Sequence, residues 1–549
     1  MSTPVQGYAK VSPRDSAEFL ELQKLNSRSN VPQPGNGIGA TNGTTMSAVH
    51  EHGGWERPHF HTYLGKQQVF WNRLRGKDRP TRVPGWGESL RNIALSSYLN
   101  AFLVCIPIAW VAHFHMRSEH NEEGVFPESV TFALCFLSII PLEKMFDWGG
   151  EQMSLYLGKS IGDLLIVTLN NAVEATLAII LMAHCELRLL QSTIIGVVIL
   201  HLLLIPGTAF LTGGAQIWEQ NLHPHTTQLN HSLLIIGVMT ILLPTAFFAA
   251  LDRGVVIQAE TGATGFSSEL ISDHSRDQLL RMSRGVAVCL LVVYIASRVF
   301  LANPPGDDNA LEIHDNAPEA LKREEEELLH TEPLVNPWVC MITLVITVGI
   351  MAATAEWLVE SIEFVREAGG ITEEWFGLIL LPIVSFSADG AVAVVYFVRS
   401  TINHFLGRKT LVPQELAKAR AIDLSIQFTL FWMPFLVLLA WWVGKPLTLM
   451  FDYFEVALLL GSCFLVNYVT ADAKTNWVEG LIMVAFYFMI ATCSWFYGGQ
   501  PEVEIMLSCP QSIAEAFAAA AAENSGGEGD PVAISSRALS HSSRALFGY

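Results

Sequence analysis

Long apolar runs restrict the folds open to this chain more than any other feature. A helix of about 20 residues crosses the hydrocarbon core of a bilayer, and about eleven runs reach that length. Backbone polar groups in lipid must be satisfied within such a helix. We therefore predict an all-α polytopic membrane protein with spans near 92–114, 126–145, 160–183, 191–213, 231–251, 284–303, 336–358, 373–398, 421–444, 453–472 and 477–498.

The composition excludes most other classes of protein. Hydrophobic residues form 51% of the 549 positions and charged residues 15%, whereas soluble domains carry about 25% charged residues. The formal net charge of −19 opposes contact with nucleic-acid phosphates. Soluble catalytic motifs, phosphate loops and metal-binding Cys/His spacings are missing from the sequence, so we predict no enzymatic activity and no cofactor. The expected partners are the lipid bilayer and inorganic cations.

Most of the cysteines lie inside the apolar runs, where reactive or bridging roles are less common than packing. The chain contains eight cysteines in all. We predict buried thiols rather than bridges for those in the runs, which are Cys105, Cys135, Cys289, Cys340, Cys463 and Cys493.

Polar segments divide the chain into five parts. The first is rich in Gly, Pro, Ser and Asn and predicts disorder, the third holds a run of four glutamates, and the last is rich in Ala, Gly and Ser. In order, we predict a disordered cytosolic segment (1–90), a first transmembrane half with one extra span and one repeat (91–301), an acidic cytosolic loop (302–334), a second transmembrane half with the second repeat (335–500) and a low-complexity tail (501–549).

Basic residues predict which side of the membrane holds the N-terminus. Positive charge collects on the cytosolic side of membrane spans. A basic cluster precedes the first span, and the loop after the eighth span is also basic, while the short loop after the first span is acidic. We therefore place the N-terminus in the cytosol. The cluster before the first span consists of Lys66, Arg73, Arg75, Lys77, Arg79, Arg82 and Arg91.

An acid in the middle of the third span is the first candidate for function. Glu174 follows Asn170 and Asn171 by four and three residues, so all three lie on one face of a helix. A mid-membrane carboxylate costs roughly 2.5–3.5 kcal/mol on insertion scales, and such residues mark ion pathways. Carboxylate and amide oxygens are the ligands of hard cations. The alternative is a cluster that only joins helices by hydrogen bonds.

A second acid occupies a similar position in the second half. Asp389 lies in the eighth span, and Ser385 precedes it by one helical turn. Pro382 and Gly390 allow this helix to break and expose carbonyl groups. Interrupted helices at corresponding places in two halves are typical of transporters built from inverted repeats. We predict two such repeats of about five helices each.

Several segments then resemble the vacuolar type of the calcium/cation–proton exchanger family, within the cation/calcium exchanger superfamily. The resemblance covers about 88–498, and NNAVEATLAII (170–180) is similar to the first signature of that family. Further similar segments are GEQMSLYLGKSIGDLL (150–165), AEWLVESIE (355–363) and NYVTADAKTNWVEG (467–480). The sequence is thereby identified as a divergent member.

The resemblance implies a transport mechanism and a set of site residues. Two acids, one per repeat, would bind a cation and protons in turn by alternating access. The matching acids are Glu174 and Asp389, which would also be the metal ligands. Asn171, Gln427 and Ser425 match further family positions. The implied activity is exchange of cytosolic Ca²⁺ for lumenal H⁺ in the vacuole or another acidic endomembrane.

The chain departs from the family pattern around both acids. In the second signature Phe386 replaces an Asn, Asp389 a Glu and Gly390 a His. Asn170 replaces a Gly in the first signature. Lost oxygen ligands should weaken calcium binding, and Asp423 in the ninth span is a new acid that could compensate.

Further polar residues are candidates for the proton or cation path. Glu356, Glu360 and Glu363 form one stripe at the end of the seventh span, and Glu151 precedes the third span. His201 in the fourth span titrates near neutral pH and could carry protons. The alternatives are interfacial residues and a packed helix histidine.

Three other functions stay open at this point. The altered second signature favours a Na⁺, K⁺ or Mn²⁺ exchanger as an alternative to calcium. Loss of ligands also fits a scaffold that no longer transports. An intramembrane aspartyl protease using Asp163 and Asp389 leaves Glu174 unexplained, and Asp163 lies at the start of its span.

Overall fold

The computed structural model describes one large part of the chain. The chain divides into two units, Met1–Phe60 and His61–Tyr549, and every described residue belongs to the second. Most of the predicted N-terminal segment, most of the acidic loop and the tail beyond 513 lie outside the described residues. Those residues are 71, 82–118, 128–157, 159–214, 220–221, 224–252, 272–302, 330–384, 386–387, 390, 402, 420–509 and 512–513.

The first half of the chain is helical throughout its described core. A 3₁₀ segment, Tyr98–Val104, leads into the second helix, and the sixth helix contains a π-helical turn at Leu200–Leu204. The helices are α1 (Trp86–Ala94), α2 (Cys105–Ser118), α3 (Glu128–Leu157), α4 (Lys159–Asn170), α5 (Ala172–His184), α6 (Leu187–Gly214), α7 (Pro224–Asp252) and α8 (Asp273–Ala302).

The second half repeats this helical character. π-Helical turns occur at Phe376–Leu380 in the eleventh helix and at Phe428–Trp432 in the twelfth. The helices are α9 (Pro337–Glu360), α10 (Ile362–Gly369), α11 (from Glu373–Trp375 through the π turn to residue 384), α12 (Ala421–Val443), α13 (Tyr453–Val469), α14 (Trp477–Trp495) and α15 (Pro501–Leu507). Two short strands, β1 (Gln220–Asn221) and β2 (Lys474–Thr475), pair antiparallel.

The helices agree with an all-α membrane fold. Within the described ranges, seven helices are long and apolar enough to cross a membrane, or nine if each of two bent helix pairs is one span. α13 is apolar but shorter, and the predicted span at 373–398 is described as far as 384 and at 386, 387 and 390. The total of about eleven spans therefore stays a prediction.

Two predicted boundaries differ from the structure. The predicted span at 284–303 is part of a helix that begins at Asp273, since charged first turns do not prevent a helix from extending past the bilayer core. The tail predicted from residue 501 instead begins with α15. Val503, Met506 and Leu507 are buried there, so these residues belong to the packed protein.

The sixth helix lies at the centre of the bundle. The most apolar stretch of α6 is 83% buried inside the protein, whereas the corresponding stretch of α8 is 22% buried. Glycines allow close crossings with its neighbours, as is common between membrane helices. A Cβ on Gly196 would collide with the carbonyl of Leu378 in α11, and a Cβ on Gly377 would lie 2.7 Å from the Cβ of Ser192.

Candidate cation-binding site

The predicted acid of the first repeat lies at a break between two helices. α4 ends at Asn170, α5 begins at Ala172, and the two helices are bent by 48°. Between them Asn171 has φ −88° and ψ 3°, outside regular helix geometry. Glu174 lies in the first turn of α5 and is 2% exposed. A helix N-terminus favours negative charge, so this turn is suited to hold a buried carboxylate.

The two asparagines at the break, four and three residues before Glu174, carry buried acceptor oxygens. Asn171 donates from Nδ2 to Gln427 Oε1 (2.8 Å) and to the carbonyl of Leu424 (3.3 Å). Its Oδ1, like the Oδ1 of Asn170, is buried and accepts no hydrogen bond from a described residue. Buried acceptors normally have partners. Amide oxygens left without a donor, a few residues before a buried carboxylate, are suited to a hard cation.

Gln427 connects three helices at this point. Its Nε2 donates to Thr168 Oγ1 (2.8 Å) in α4 and to the hydroxyl of Tyr294 (3.0 Å) in α8, while its Oε1 accepts from Asn171. Gln427 immediately precedes the π turn of α12. Its predicted place in the site is compatible with these contacts. The contributions of Thr168 and Tyr294 were missed, although each is a polar residue within an apolar run.

The other predicted residues of α12 face different neighbours. Ser425 is fully buried, and its hydroxyl lies 3.5 Å from the carbonyl of Val198 in α6. Asp423 accepts a 2.9 Å hydrogen bond from Asn230 in α7. The structure therefore places the new acid against α7, one helical turn before Gln427.

The second signature is described only around its acid. Ser385 and Asp389 lie outside the described residues, so their predicted roles rest on the sequence. Phe386 and Gly390 are described, and a Cβ on Gly390 would lie 2.7 Å from Cε1 of Phe386. The ring of Phe386 thus occupies the space that a side chain at 390 would need.

The predicted path residues lie in several places. Glu356 contacts His184 (2.7 Å), and Glu360 lies 3.7 Å from His113; both glutamates are about two-fifths exposed at the end of α9. Glu151 is exposed in α3. His201 is 2% exposed in the π turn of α6, where its Nδ1 lies 2.8 Å from the carbonyl of Val197.

One titrating group lies in the turn that follows α5. Burial of the Glu186 carboxyl raises its pKa, and the nearby carboxylate of Glu363 raises it further. Arg366 and His184 act in the opposite direction. Glu186 therefore takes up a proton at a higher pH than an ordinary glutamate does.

A buried acid in α13 was not predicted. Glu455 is 2% exposed and accepts a hydrogen bond from Ser192 of α6. The sequence places it near the start of a span, where acids are commonly interfacial. Among the described residues no group of three or more His, Cys, Asp and Glu side chains could hold a metal ion.

The long apolar helices and the buried polar break define a polytopic all-α membrane protein. Residues 128–302 and 339–496 match the family described as sodium/calcium exchanger protein, which covers more than half of the chain. The chain belongs to this family.

Known proteins are similar over most of the chain. The vacuolar calcium ion transporter of Cryptococcus neoformans var. grubii is 31% identical in an alignment of length 499, and the match covers 78% of this chain and 78% of its own. The Ca²⁺/H⁺ antiporter of Synechocystis sp. is 29% identical over 72% of this chain and 96% of its own. The solved structure of native YfkE has a TM-score of 0.51 at 20% identity over 72% of this chain and 100% of its own, and it shows the fold alone.

Proposed function

We propose that this protein exchanges cytosolic Ca²⁺ for lumenal H⁺ across the membrane of the vacuole or another acidic endomembrane. The observation that carries the proposal is the buried carboxylate of Glu174 just after a helix break, where the buried side-chain oxygens of Asn170 and Asn171 accept no hydrogen bond from a described residue. The names of similar proteins support calcium as the ion and the vacuole as the location.

Burial explains why the two ions would be exchanged rather than move independently. A bare carboxylate inside the membrane is costly, so Glu174 is stable when it holds either a proton or a cation. Calcium binds six to eight oxygens at 2.3–2.6 Å. In the proposed cycle Glu174 and Asp389 supply carboxylates, and the asparagines add neutral oxygens. Arrival of protons from the lumen then displaces the cation.

Packing of the signature helices supports two related repeats. The α4–α5 break contacts α12 through Asn171, whereas α11 contacts α6 through Gly196 and Gly377. Both α6 and α12 carry a π turn shortly after this crossing. In each case a signature helix of one half packs on the span that follows the signature in the other half. This is the relation expected of two inverted repeats, with alternating access between them.

A disulfide supports the proposed orientation. Cys185, in the turn after α5, is bonded to Cys509 beyond α15. Disulfides form and persist in oxidising compartments such as the secretory lumen. We therefore place this end of the bundle in the lumen. With an odd number of spans the N-terminus is then cytosolic, as the basic residues before the first span also indicate.

Ion uptake into proteoliposomes with an acidic lumen tests the proposal. Ca²⁺, Mn²⁺, Na⁺ and K⁺ are offered separately to the wild type and to Glu174→Gln and Asp389→Asn, which remove charge but keep size. We expect Ca²⁺ uptake that collapses with the pH gradient and falls to background in both variants. Glu88→Gln, an exposed acid of α1, is the control and should transport normally.

Each other outcome has a defined meaning. Uptake of Na⁺ or K⁺ alone would show that Phe386, in place of an amide ligand, remodelled the site for monovalent ions. Uptake of Mn²⁺ alone would leave the exchange mechanism and change its ion. Absence of all uptake by a folded protein would contradict exchange and leave a scaffold.

A further inference from the structure

The residues that follow α14 fold back over one end of the bundle. We define residues 497–509 as the C-terminal strap. Gly499 has φ +73°, and a Cβ there would run into the ion pair of Arg188 and Glu374. This turn directs the chain into α15, whose Val503 and Met506 are buried.

Arg188 of α6 joins the strap to the helix of the second signature. Its guanidinium pairs with Glu374 at the start of α11. The same group contacts Glu504 of the strap (2.9 Å) and donates to the carbonyl of Gln500 (3.3 Å). One charged group therefore holds α6, α11 and the strap together, and it is largely shielded from solvent, which strengthens the pairing.

Asp452 forms a second attachment. It caps α13 by accepting from the backbone N–H of Phe454 (2.8 Å). It also accepts from the hydroxyl of Tyr497 (2.7 Å) and from the N–H of Gln500 (3.0 Å). The start of the strap is thus fixed to the start of α13.

The far end of the strap is attached to α8. Arg276 donates to the carbonyl of Ser508 in the strap (2.6 Å), and, beyond the strap, Asp273 accepts from the N–H of Ile513 (2.9 Å). α8 is the least buried of the long apolar helices in the described part of the chain. It also carries Tyr294, which contacts Gln427 at the candidate site. A helix that reaches the site, and whose surface the protein covers only in small part, is therefore held at one end by the strap.

The disulfide completes these attachments. Cys185 and Cys509 are 324 positions apart in sequence, and their Cα atoms are 6.3 Å apart, within the range for disulfides. Cys185 directly follows the helix that carries Glu174. The bond therefore joins the α5–α6 turn to Cys509 of the strap, which directly follows Ser508, the residue whose carbonyl accepts from Arg276.

We propose that the C-terminal strap is a lumenal latch, fastened by the Cys185–Cys509 disulfide, that restrains α8 and slows the exchange cycle. The proposal rests on the proposed function, since a latch needs a moving transporter. Closure takes one proton and one electron from each thiol as the S–S bond forms. The two electrons and two protons convert the disulfide of a thiol–disulfide oxidoreductase of the secretory pathway into its dithiol.

A cleavage assay tests the covalent part without any transport. A protease site inserted in the acidic loop separates Cys185 and Cys509 onto different fragments. We expect the cleaved wild type to migrate as one linked species without reductant and as two fragments with dithiothreitol. Cys185→Ser and Cys509→Ser should give two fragments in both conditions, and Cys493→Ser, an exposed free cysteine, should behave as the wild type. Separation of the unreduced wild type would overturn the proposal.

Calcium uptake at saturating substrate tests the restraint. Dithiothreitol should raise the rate of the wild type about fivefold, which corresponds to a barrier lower by about 1 kcal/mol. Both serine variants should already be fast, the double variant no faster, and none should respond further to reductant. Because a serine variant could fold poorly, reduction of the wild type gives the same comparison without a mutation.

A third variant separates the covalent bond from the ionic attachment. Glu504→Gln keeps the disulfide and removes the carboxylate charge that pairs with Arg188. We therefore expect a rate increase smaller than that caused by reduction, with the disulfide linkage intact. Equal rates in linked, reduced and serine-substituted proteins would overturn the latch while exchange stands. Loss of transport in all of them, with the linkage present, would overturn exchange and the latch together.

Discussion

At the scale of single residues, the two largest changes in the second signature depend on each other. The ring of Phe386 lies where a side chain on Gly390 would project. The large side chain at 386 therefore fits because the residue at 390 is a glycine and has no side chain. The sequence shows both departures, but it cannot show that they share one space, because that depends on the helical turn between them.

Substitution of the pair measures this dependence. Gly390→Ala should destabilise the protein by about 1–3 kcal/mol, the usual cost of overpacking. Phe386→Ala with Gly390→Ala should remove that collision. The midpoint of thermal unfolding in detergent, compared across both single variants and the double variant, gives the coupling. A Gly390→Ala protein as stable as the wild type would contradict the shared space.

The hydroxyl of Tyr294 offers a milder test of the site. Tyr294→Phe removes the hydrogen bond to Gln427 and leaves the ring. A hydrogen bond contributes about 1 kcal/mol, so we expect the KM for Ca²⁺ to rise about fivefold with little change in kcat.

A matched tyrosine controls this prediction. The buried hydroxyl of Tyr487 neither donates nor accepts a hydrogen bond within the described part of the chain. Tyr487→Phe should therefore leave KM unchanged. An equal KM for Tyr294→Phe and the wild type would show that the Tyr294 hydroxyl does not contribute to cation binding.

At the scale of elements, hydrophobic length located the helices but not their breaks. The π turns of α6, α11 and α12 lie inside apolar runs, whereas the bend of α4–α5 falls at the polar pair Asn170 and Asn171. A run of apolar residues records burial in lipid, whereas a break depends on which neighbour satisfies the freed carbonyl groups. The contact of Asn171 with Leu424 is between residues far apart in sequence. Such partners follow from packing, so the sequence alone predicted Glu174 without the geometry around it.

The cap of α13 allows a test at this scale. Asp452→Ala removes the cap and both contacts to the strap. The decrease in folding stability should exceed the roughly 1 kcal/mol that is lost when an ordinary helix cap is removed. Asn336→Ala, which removes the cap of α9, is the comparison. We expect a clearly lower unfolding midpoint for Asp452→Ala, and equal midpoints would argue against attachment of the strap there.

At the scale of the whole molecule, the family was predictable from the sequence, and the disulfide was not. The predicted thiols are unbridged, although Cys289 and Cys493 lie on exposed faces rather than in the core. The two remaining cysteines lie outside apolar runs and form the bond. Their pairing depends on the position of α15, which the Ala-rich tail composition concealed. Site residues Ser385 and Asp389 stay predictions.

Orientation is a property of the whole molecule and can be measured with glycans. An Asn-Gly-Thr acceptor occurs at 42–44. With a cytosolic N-terminus we expect Asn42 to stay unmodified in cells, while an acceptor added after residue 549 is glycosylated. Electrophoretic mobility before and after glycosidase treatment, measured with and without the added acceptor, shows which of the two sites carries a glycan. Glycan on Asn42 would reverse the proposed orientation.

The sequence separation of the two bonded cysteines also has a consequence for biogenesis. Cys185 is synthesised early, whereas Cys509 follows the last apolar helix, 324 positions later. At about 5–20 residues per second, the ribosome needs roughly 16–65 s to cover that distance. During this interval Cys185 waits as a free thiol. The bond can close only after the last long helix has been translated, so it marks chains whose synthesis has passed that point.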